Sequence, residues 1–230
     1  TNIFLIKLFM DFKLFMTCPR GFEELVQREI SILGGKNCHV DAGGVHFTAN
    51  LESVYKINYS SRLGMNLLLE ISIFDIDGVD SLYEQIKEID WKNYLTIINT
   101  FSVQVRIRNS TNIHNSHFAK LKIKDAIVDY FFDRYNDRPS VNIKNADIPV
   151  NIFIDQSTVK VYLNSSGNPL FKRNYRTKIH KGALNEVYAA GLIQMSGWDK
   201  KNDFFDPMCG SGTFAIEAAM HLNNIPSGLL

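Results

Sequence analysis

The sequence predicts an α+β chain that closes with the opening elements of an α/β domain. Three observations carry that prediction. Residues 10–75 follow the order strand, helix, strand, strand, helix, strand; residues 101–108 alternate strictly and precede a long helix and a hairpin; residues 204–220 read as strand, glycine turn, helix. A chain of 230 residues with 45% apolar content can build packed cores. Its 25 basic and 24 acidic residues leave a formal charge of only +1, so any attraction to nucleic acid must come from a local patch.

The first strand is Phe12 to Thr17, and Pro19 suits a helix start because its missing N–H would have had no partner there. Gly21 to Leu33 is a helix with Phe22, Leu25, Val26, Ile30 and Leu33 along one side, a face that only Glu29 interrupts, and Gly34-Gly35 ends it. Asn37 to Asp41 and Val45 to Thr48 form a hairpin around Ala42-Gly43-Gly44. Leu51 to Arg62 is a second helix and Asn66 to Phe74 a fourth strand. This βαββαβ order is that of a ferredoxin-like domain over residues 10–75.

A second unit is expected over residues 76–170. Val79 to Ile89 is helical, with Leu82, Ile86 and Ile89 apolar. Phe101 to Arg108 is a strand with one apolar face and one wet face carrying Ser102, Gln104, Arg106 and Arg108. A polar loop leads to a helix from Ser116 to Arg134, on which Lys120 and Lys124 lie one turn apart and Asp125, Asp129 and Asp133 form an acidic stripe. Val150 to Ile154 and Val159 to Leu163 make a closing hairpin. Ser165 to Pro169 is a run of turn formers, so Asn168-Pro169-Leu170-Phe171 is read as a turn.

Residues 171–230 form the third part. Phe171 to Lys181 concentrates Lys172, Arg173, Arg176, Lys178 and Lys181 around Tyr175 and His180, a composition suited to phosphate contact and base stacking or to a solvated linker. Ala183 to Met195 is a helix. In Asp206-Pro207-Met208-Cys209-Gly210-Ser211-Gly212-Thr213 the glycines let the backbone approach a ligand, and the following helix presents free N–H groups to an anion. Asp206 adds an acceptor for an ammonium or hydroxyl, so the site suits a zwitterion better than a bare phosphate. The phosphate-binding fingerprints fit poorly: Gly-Lys-Ser/Thr is absent, and Gly210-Ser211-Gly212 lacks the third glycine of Gly-x-Gly-x-x-Gly.

Cys18, Cys38 and Cys209 are odd in number and widely spaced, with neither a zinc-type pair nor a disulfide framework, which points to a reducing, cytoplasmic location and to no metal. Cys209 is read as a compact loop residue, not a nucleophile. Lys7, Asp11 and Lys13 interrupt the apolar N-terminus, so neither an export signal nor a membrane span is expected. Residues 1–9 are read as lying outside the folded domain.

The octapeptide at 206–213, followed by Phe214-Ala215-Ile216-Glu217-Ala218-Ala219, resembles the first S-adenosylmethionine motif of class I RNA methyltransferases that carry a THUMP domain. The nearest members of that family are bacterial enzymes that methylate guanine N2 in 23S ribosomal RNA, also labelled N6-adenine-specific DNA methylases. The run from Phe101 through His117, Lys124 to Ile127 and the closing hairpin resembles the RNA-binding THUMP domain. Gly182 to Ala190 is similar to the helix that borders the cofactor pocket, with Glu186 and the Ala189-Ala190 pair matching and Ala183 in place of the usual proline.

The resemblance implies a ferredoxin-like domain, a THUMP domain and the first elements of a Rossmann-like methyltransferase domain. It implies S-adenosylmethionine held by Asp206, Pro207, Met208, Cys209, Gly210, Ser211, Gly212, Thr213 and Glu186. RNA contact is expected from Arg173, Tyr175, Arg176, Lys178, Lys181, Arg106, Arg108, Lys120 and Lys124. The family's catalytic Asn/Asp-Pro-Pro-Tyr/Phe loop would lie downstream of Leu230, so no catalytic residue is assigned, and these residues alone are expected to bind the cofactor weakly and to be inactive. Other readings are a non-enzymatic RNA-binding module and a methyltransferase for transfer RNA guanine N2 or DNA adenine N6.

Overall fold

The computed structural model describes residues 10–176 and 182–229, which fall into two compact units. Residues up to Leu67 join residues from Asn168 onward in the first unit, and Leu68 to Gly167 form the second.

The first unit begins with β1 (Phe12–Thr17), α1 (Glu23–Ile32), β2 (Lys36–Asp41), β3 (Gly44–Ala49) and α2 (Leu51–Ser60), and takes in Asn66 and Leu67 from the start of β4 (Asn66–Asp75). β3 is paired antiparallel with both β1 and β2. The order β2-β3-β1-β4 is that of the ferredoxin-like fold. Leu14, Met16, Val45, Phe47, Val26, Ile30 and Ile57 fill the space between strands and helices. The Asn50 side chain caps α2 by accepting from the Ser53 amide at 2.9 Å.

Glu29, the lone acid on the apolar face of α1, has a structural use. Its carboxylate accepts from Ser61 Oγ at 2.7 Å and from the amides of Arg62 and Leu63 at 2.8 and 3.2 Å, supplying acceptors to the loop that leaves α2. Burial pushes this carboxyl above its ordinary range, and those hydrogen bonds oppose the shift.

The same unit contains α5 (Glu186–Met195) and α6 (Thr213–Leu222). The helix predicted from Ala183 begins at Glu186, because Asn185 is its N-cap and its side chain accepts from the Val187 amide at 2.9 Å. Gly191 sits where α5 meets Phe22 just before α1: a Cβ there would lie 2.2 Å from the Phe22 ring. After α6, Arg62 Nη2 donates to the carbonyls of Met220 and Ile225 at 3.1 and 2.5 Å. The Ser227 hydroxyl donates to Ser61 O at 2.6 Å and the Gly228 amide to Tyr59 O at 2.8 Å. The C-terminal end of α2 thus holds the chain that follows α6.

The second unit comprises the rest of β4, α3 (Val79–Glu88), β5 (Thr100–Arg108), α4 (Ser116–Tyr135), β6 (Ser140–Val141), β7 (Ile148–Asp155) and β8 (Thr158–Asn164). Its strand order is β4-β8-β7-β5-β6, with β5 parallel to β6 and β7 and the remaining pairs antiparallel. Phe101, Val103, Val150, Ile152, Ile154, Val159 and Val161 pack with Leu82, Ile86, Ala119, Ile123, Ile127 and Phe131 from the two helices. A single-turn 3-10 helix at Trp91–Asn93, not foreseen from sequence, buries Trp91, whose indole N–H donates to Ile86 O at 2.7 Å. Ser102, expected on the wet side of β5, is buried, whereas Gln104, Arg106 and Arg108 on the same face are exposed.

The acidic stripe on α4 is largely an inter-helix feature. Asp129 accepts from the Tyr83 hydroxyl at 2.6 Å and Asp133 lies 2.7 Å from Lys87 Nζ, both partners on α3.

Replacing Gly191 with Ala opposes a gain in helix propensity of about 1 kcal/mol to overpacking against a rigid ring costing ~1–3 kcal/mol. The clash should dominate, so Gly191→Ala is expected to lower the chemical-denaturation midpoint of the first unit. An unchanged or higher midpoint would show that Phe22 yields at no cost.

Candidate functional site

Helix α6 and the loop before it carry the candidate site of the first unit. Gly210 and Gly212 adopt left-handed backbone angles, φ 51° and 74°, and a Cβ at Gly212 would meet nothing within 4 Å. Gly212 is the N-cap residue of α6, and its amide donates to Cys209 O at 2.7 Å, closing the turn. The amides of Thr213, Phe214 and Ala215 lie in the first turn, where no intrahelical acceptor exists. Asp206 Oδ1 accepts from the Met208 amide at 3.1 Å, while Oδ2 is buried without a hydrogen-bond partner among the described residues. An orphaned carboxylate oxygen beside an open glycine turn and a helix N-terminus suits a ligand that carries both an ammonium and a carboxylate.

The strand expected at Phe204-Phe205 is not formed. A parallel strand is held by hydrogen bonds to neighbours on either side, and the described residues supply none here. Phe204 stacks edge-on against Trp198 at 5.2 Å, and Phe205 and Met208 are 85% and 89% exposed. Pro207, Met208, Cys209, Gly210 and Ser211 are all on the surface, whereas Thr213 is buried and its hydroxyl lies 3.2 Å from that of Ser211.

Along α6 three arginines from outside the helix engage it in turn. Arg176 Nη2 donates to Thr213 Oγ1 at 2.8 Å and to the Leu184 carbonyl, and its Nε lies 3.5 Å from Glu186. Glu186, expected in the cofactor pocket, is 8% exposed and turned toward this guanidinium. Arg173 donates from Nη1 to Glu217 Oε2 and from Nη2 to Arg62 O, and both members of the Arg173–Glu217 pair have side chains with no exposure. The Tyr175 hydroxyl donates to Glu217 Oε1 at 2.8 Å. Arg62 reaches the C-terminal end of the helix.

Burial pushes the Glu217 carboxyl above its ordinary range, opposed by Arg173 and Tyr175. Burial, followed by the neighbouring Glu217 charge, raises the Tyr175 phenol well above its usual value, so it stays a proton donor. Sequence reasoning missed Glu217 as a structural residue. The available signal was a lone acid, four residues from Thr213, in an otherwise apolar helix that follows an arginine-rich linker.

The residues named for RNA are therefore distributed unevenly. Arg173 lies wholly within the first unit, so its charge is directed at Glu217 rather than at solvent. Tyr175 and Arg176 are half-buried in the same network. Lys178 and Lys181 lie outside the described residues. In the second unit Arg106 is exposed with its guanidinium 5.7 Å from the Phe153 ring, and Arg108 is exposed and paired with Asp155 at 2.5 Å. Lys120 is half-buried and Lys124 lies 2.6 Å from Asp125. Because Val103 and its alternate neighbours pack toward α4, Arg106 and Arg108 stand on the opposite sheet face from the helix carrying Lys120 and Lys124. The structure does not bring the two basic pairs together. Among the described residues, no helix is long and apolar enough to cross a membrane, and no cluster of His, Cys, Asp or Glu suits a metal ion.

Three family matches tile the chain: the RlmL ferredoxin-like domain at residues 13–65, the THUMP domain at 78–164, and the RMKL-like methyltransferase domain at 173–230. The chain is 35% identical over 221 residues to the ribosomal RNA large subunit methyltransferase K/L of Syntrophotalea carbinolica, covering 94% of this chain and 31% of that protein. Among solved structures it is similar to a predicted N6-adenine-specific DNA methylase from Listeria monocytogenes, with TM-score 0.86, 28% identity, and coverage of 97% of this chain and 58% of that one. It is also similar to SMU.472, solved in complex with SAH, with TM-score 0.83, 30% identity, and coverage of 95% and 57%. The chain thus spans about a third of the length of that ribosomal RNA methyltransferase and somewhat over half of the two solved chains.

Removing Arg173 leaves a carboxylate buried without its cation. Arg173→Met is expected to cost about 3–5 kcal/mol in the first unit, and Arg173→Met/Glu217→Leu to recover much of that loss. Equal losses in the single and double variants, measured by denaturant unfolding, would show that the pair is not coupled.

Proposed function

From a chain that joins an RlmL ferredoxin-like domain, a THUMP domain and RMKL-like methyltransferase sequence, we infer that the full-length protein is an RNA methyltransferase. Its proposed donor is S-adenosylmethionine and its proposed acceptor is guanine N2 of large-subunit ribosomal RNA. The observation that carries the cofactor part is the orphaned Asp206 Oδ2 beside the open turn at Gly210 and Gly212. When bound, the cofactor supplies an electrophilic methyl group.

The residues of this chain do the holding. Asp206 offers a desolvated acceptor to the ammonium, the amides at the start of α6 face the carboxylate, and the glycines leave room for close approach. Exchange of water for these fixed groups orients the donor without a proton transfer to any residue described. Support for the RNA part comes from the THUMP match and from the ribosomal RNA named for the Syntrophotalea protein. The exposed Arg106 and the half-buried Lys120 are proposed phosphate contacts.

Transfer of labelled methyl groups by the full-length protein should occur on unmodified 23S ribosomal RNA and not on duplex DNA, with the label recovered as N2-methylguanine. Label in N6-methyladenine of DNA would replace this reading with that named for the Listeria protein. A second measurement uses the thiols. Cys209 is exposed in the loop, whereas burial pushes the Cys18 thiol up to about 12. At pH 8, iodoacetamide is expected to modify Cys209 quickly and Cys18 only on unfolding, and S-adenosylhomocysteine should slow the Cys209 reaction in the full-length protein. Unchanged Cys209 kinetics at saturating S-adenosylhomocysteine would remove the loop from the cofactor site.

A further inference from the structure

We propose that Arg176 is a positioning residue for the cofactor loop, not a contact for RNA. The proposal rests on the reading of residues 206–213 as that loop.

One guanidinium engages the two elements that bracket the loop. On one side it donates to the Leu184 carbonyl, just ahead of the α5 N-cap, and lies 3.5 Å from the carboxylate of Glu186, the first residue of that helix. On the other side it donates to Oγ1 of Thr213, the first residue of α6, at 2.8 Å. The chain of polar contacts continues from Thr213 to Ser211, inside the turn, at 3.2 Å. The Arg176 and Glu186 side chains are each only 11% exposed, so neither has ready access to a phosphate in solvent. A planar guanidinium can hold several acceptors at fixed angles, whereas an ammonium on a flexible stem cannot. The glycines at 210 and 212 give the turn its shape but no rigidity of their own. A fixed donor at the first residue of α6 supplies it, and keeps the first-turn amides aimed at one place before a ligand arrives.

The test compares Arg176→Met, Arg176→Lys, Thr213→Val and the double variant Arg176→Met/Thr213→Val in the full-length protein. The readouts are calorimetric titration with S-adenosylhomocysteine, binding to a 23S ribosomal RNA fragment, and amide hydrogen exchange at residues 211–217. The expected result is roughly tenfold weaker S-adenosylhomocysteine binding for Arg176→Met, on the scale of the one charge-assisted hydrogen bond to Thr213 among the contacts it removes. Exchange at the first turn of α6 should be faster, and RNA affinity unchanged. Arg176→Lys should not restore cofactor affinity. The double variant should be no weaker than the worse single one, because both remove the same contact.

Arg176→Met that binds S-adenosylhomocysteine like the parent, with unaltered exchange, overturns the proposal. So does a selective loss of RNA affinity. Should Arg176→Met fail to fold, Thr213→Val decides: parental exchange and affinity in that variant also overturn it. A parent that binds no S-adenosylhomocysteine sinks the cofactor reading itself, an outcome distinct from a binding parent with an indifferent variant.

Discussion

The Arg173–Glu217 pair is the constraint on which the first unit depends. Both charges are fully removed from water, a condition tolerated only when each finds its counterpart and further hydrogen bonds. Arg173 comes from the linker, Glu217 from the helix behind the glycine turn, and the carbonyl of Arg62 from the loop after α2. Three segments distant in sequence therefore meet at a single desolvated site. Tyr175 completes the shell of Glu217, and Arg62 carries the same logic to the end of α6. A helix fixed at its start, middle and end by outside side chains is a firm base for the glycine turn that precedes it.

This arrangement also changes what the basic linker means. A run rich in Lys and Arg beside aromatic residues is the ordinary appearance of a nucleic-acid contact, and it is equally the appearance of a cationic plug for buried acids. Composition does not separate the two, because it records how many charges a segment carries and not which way they point. The distinction lies in the partner: Glu217 and Glu186 are acids placed among apolar helical neighbours, where an unpaired carboxylate would be costly. Reading the linker together with those acids, rather than alone, discloses the pairing.

Much of the fold was legible for physical reasons that act locally. The apolar side of α1, the glycine hairpin between β2 and β3 and the alternation of β5 are short-range patterns, and each appears where the residues place it. Phe204-Phe205 shows the limit. Its apolar pair has the composition of a strand, but strand pairing is a property of neighbours and not of the segment itself. The wet face of β5 shows another limit, since Ser102 is polar by type and buried in the fold while the other polar residues of that face are exposed. In the candidate site the glycine turn was readable from spacing, whereas Glu29, Arg62 and Glu217 act across 32 or more residues and left only the faint mark of a charge out of place.

The discontinuity of the first unit bears on how the chain acquires its structure. Arg173 and Arg62 O are separated by 111 residues, so their contact must close a long loop, and doubling a flexible loop costs only ~0.6 kcal/mol while slowing the search for its ends. The second unit is contiguous, and within it Leu68 is the cross-strand partner of Asn164. Once that unit folds, the two ends of the intervening chain stand side by side, and the long loop becomes a short one. The inserted unit thereby acts as an internal chaperone of proximity. The inserted unit ends at Gly167, ahead of Arg173 in the chain, so its folding shortens the loop that the contact between Arg173 and Arg62 must close.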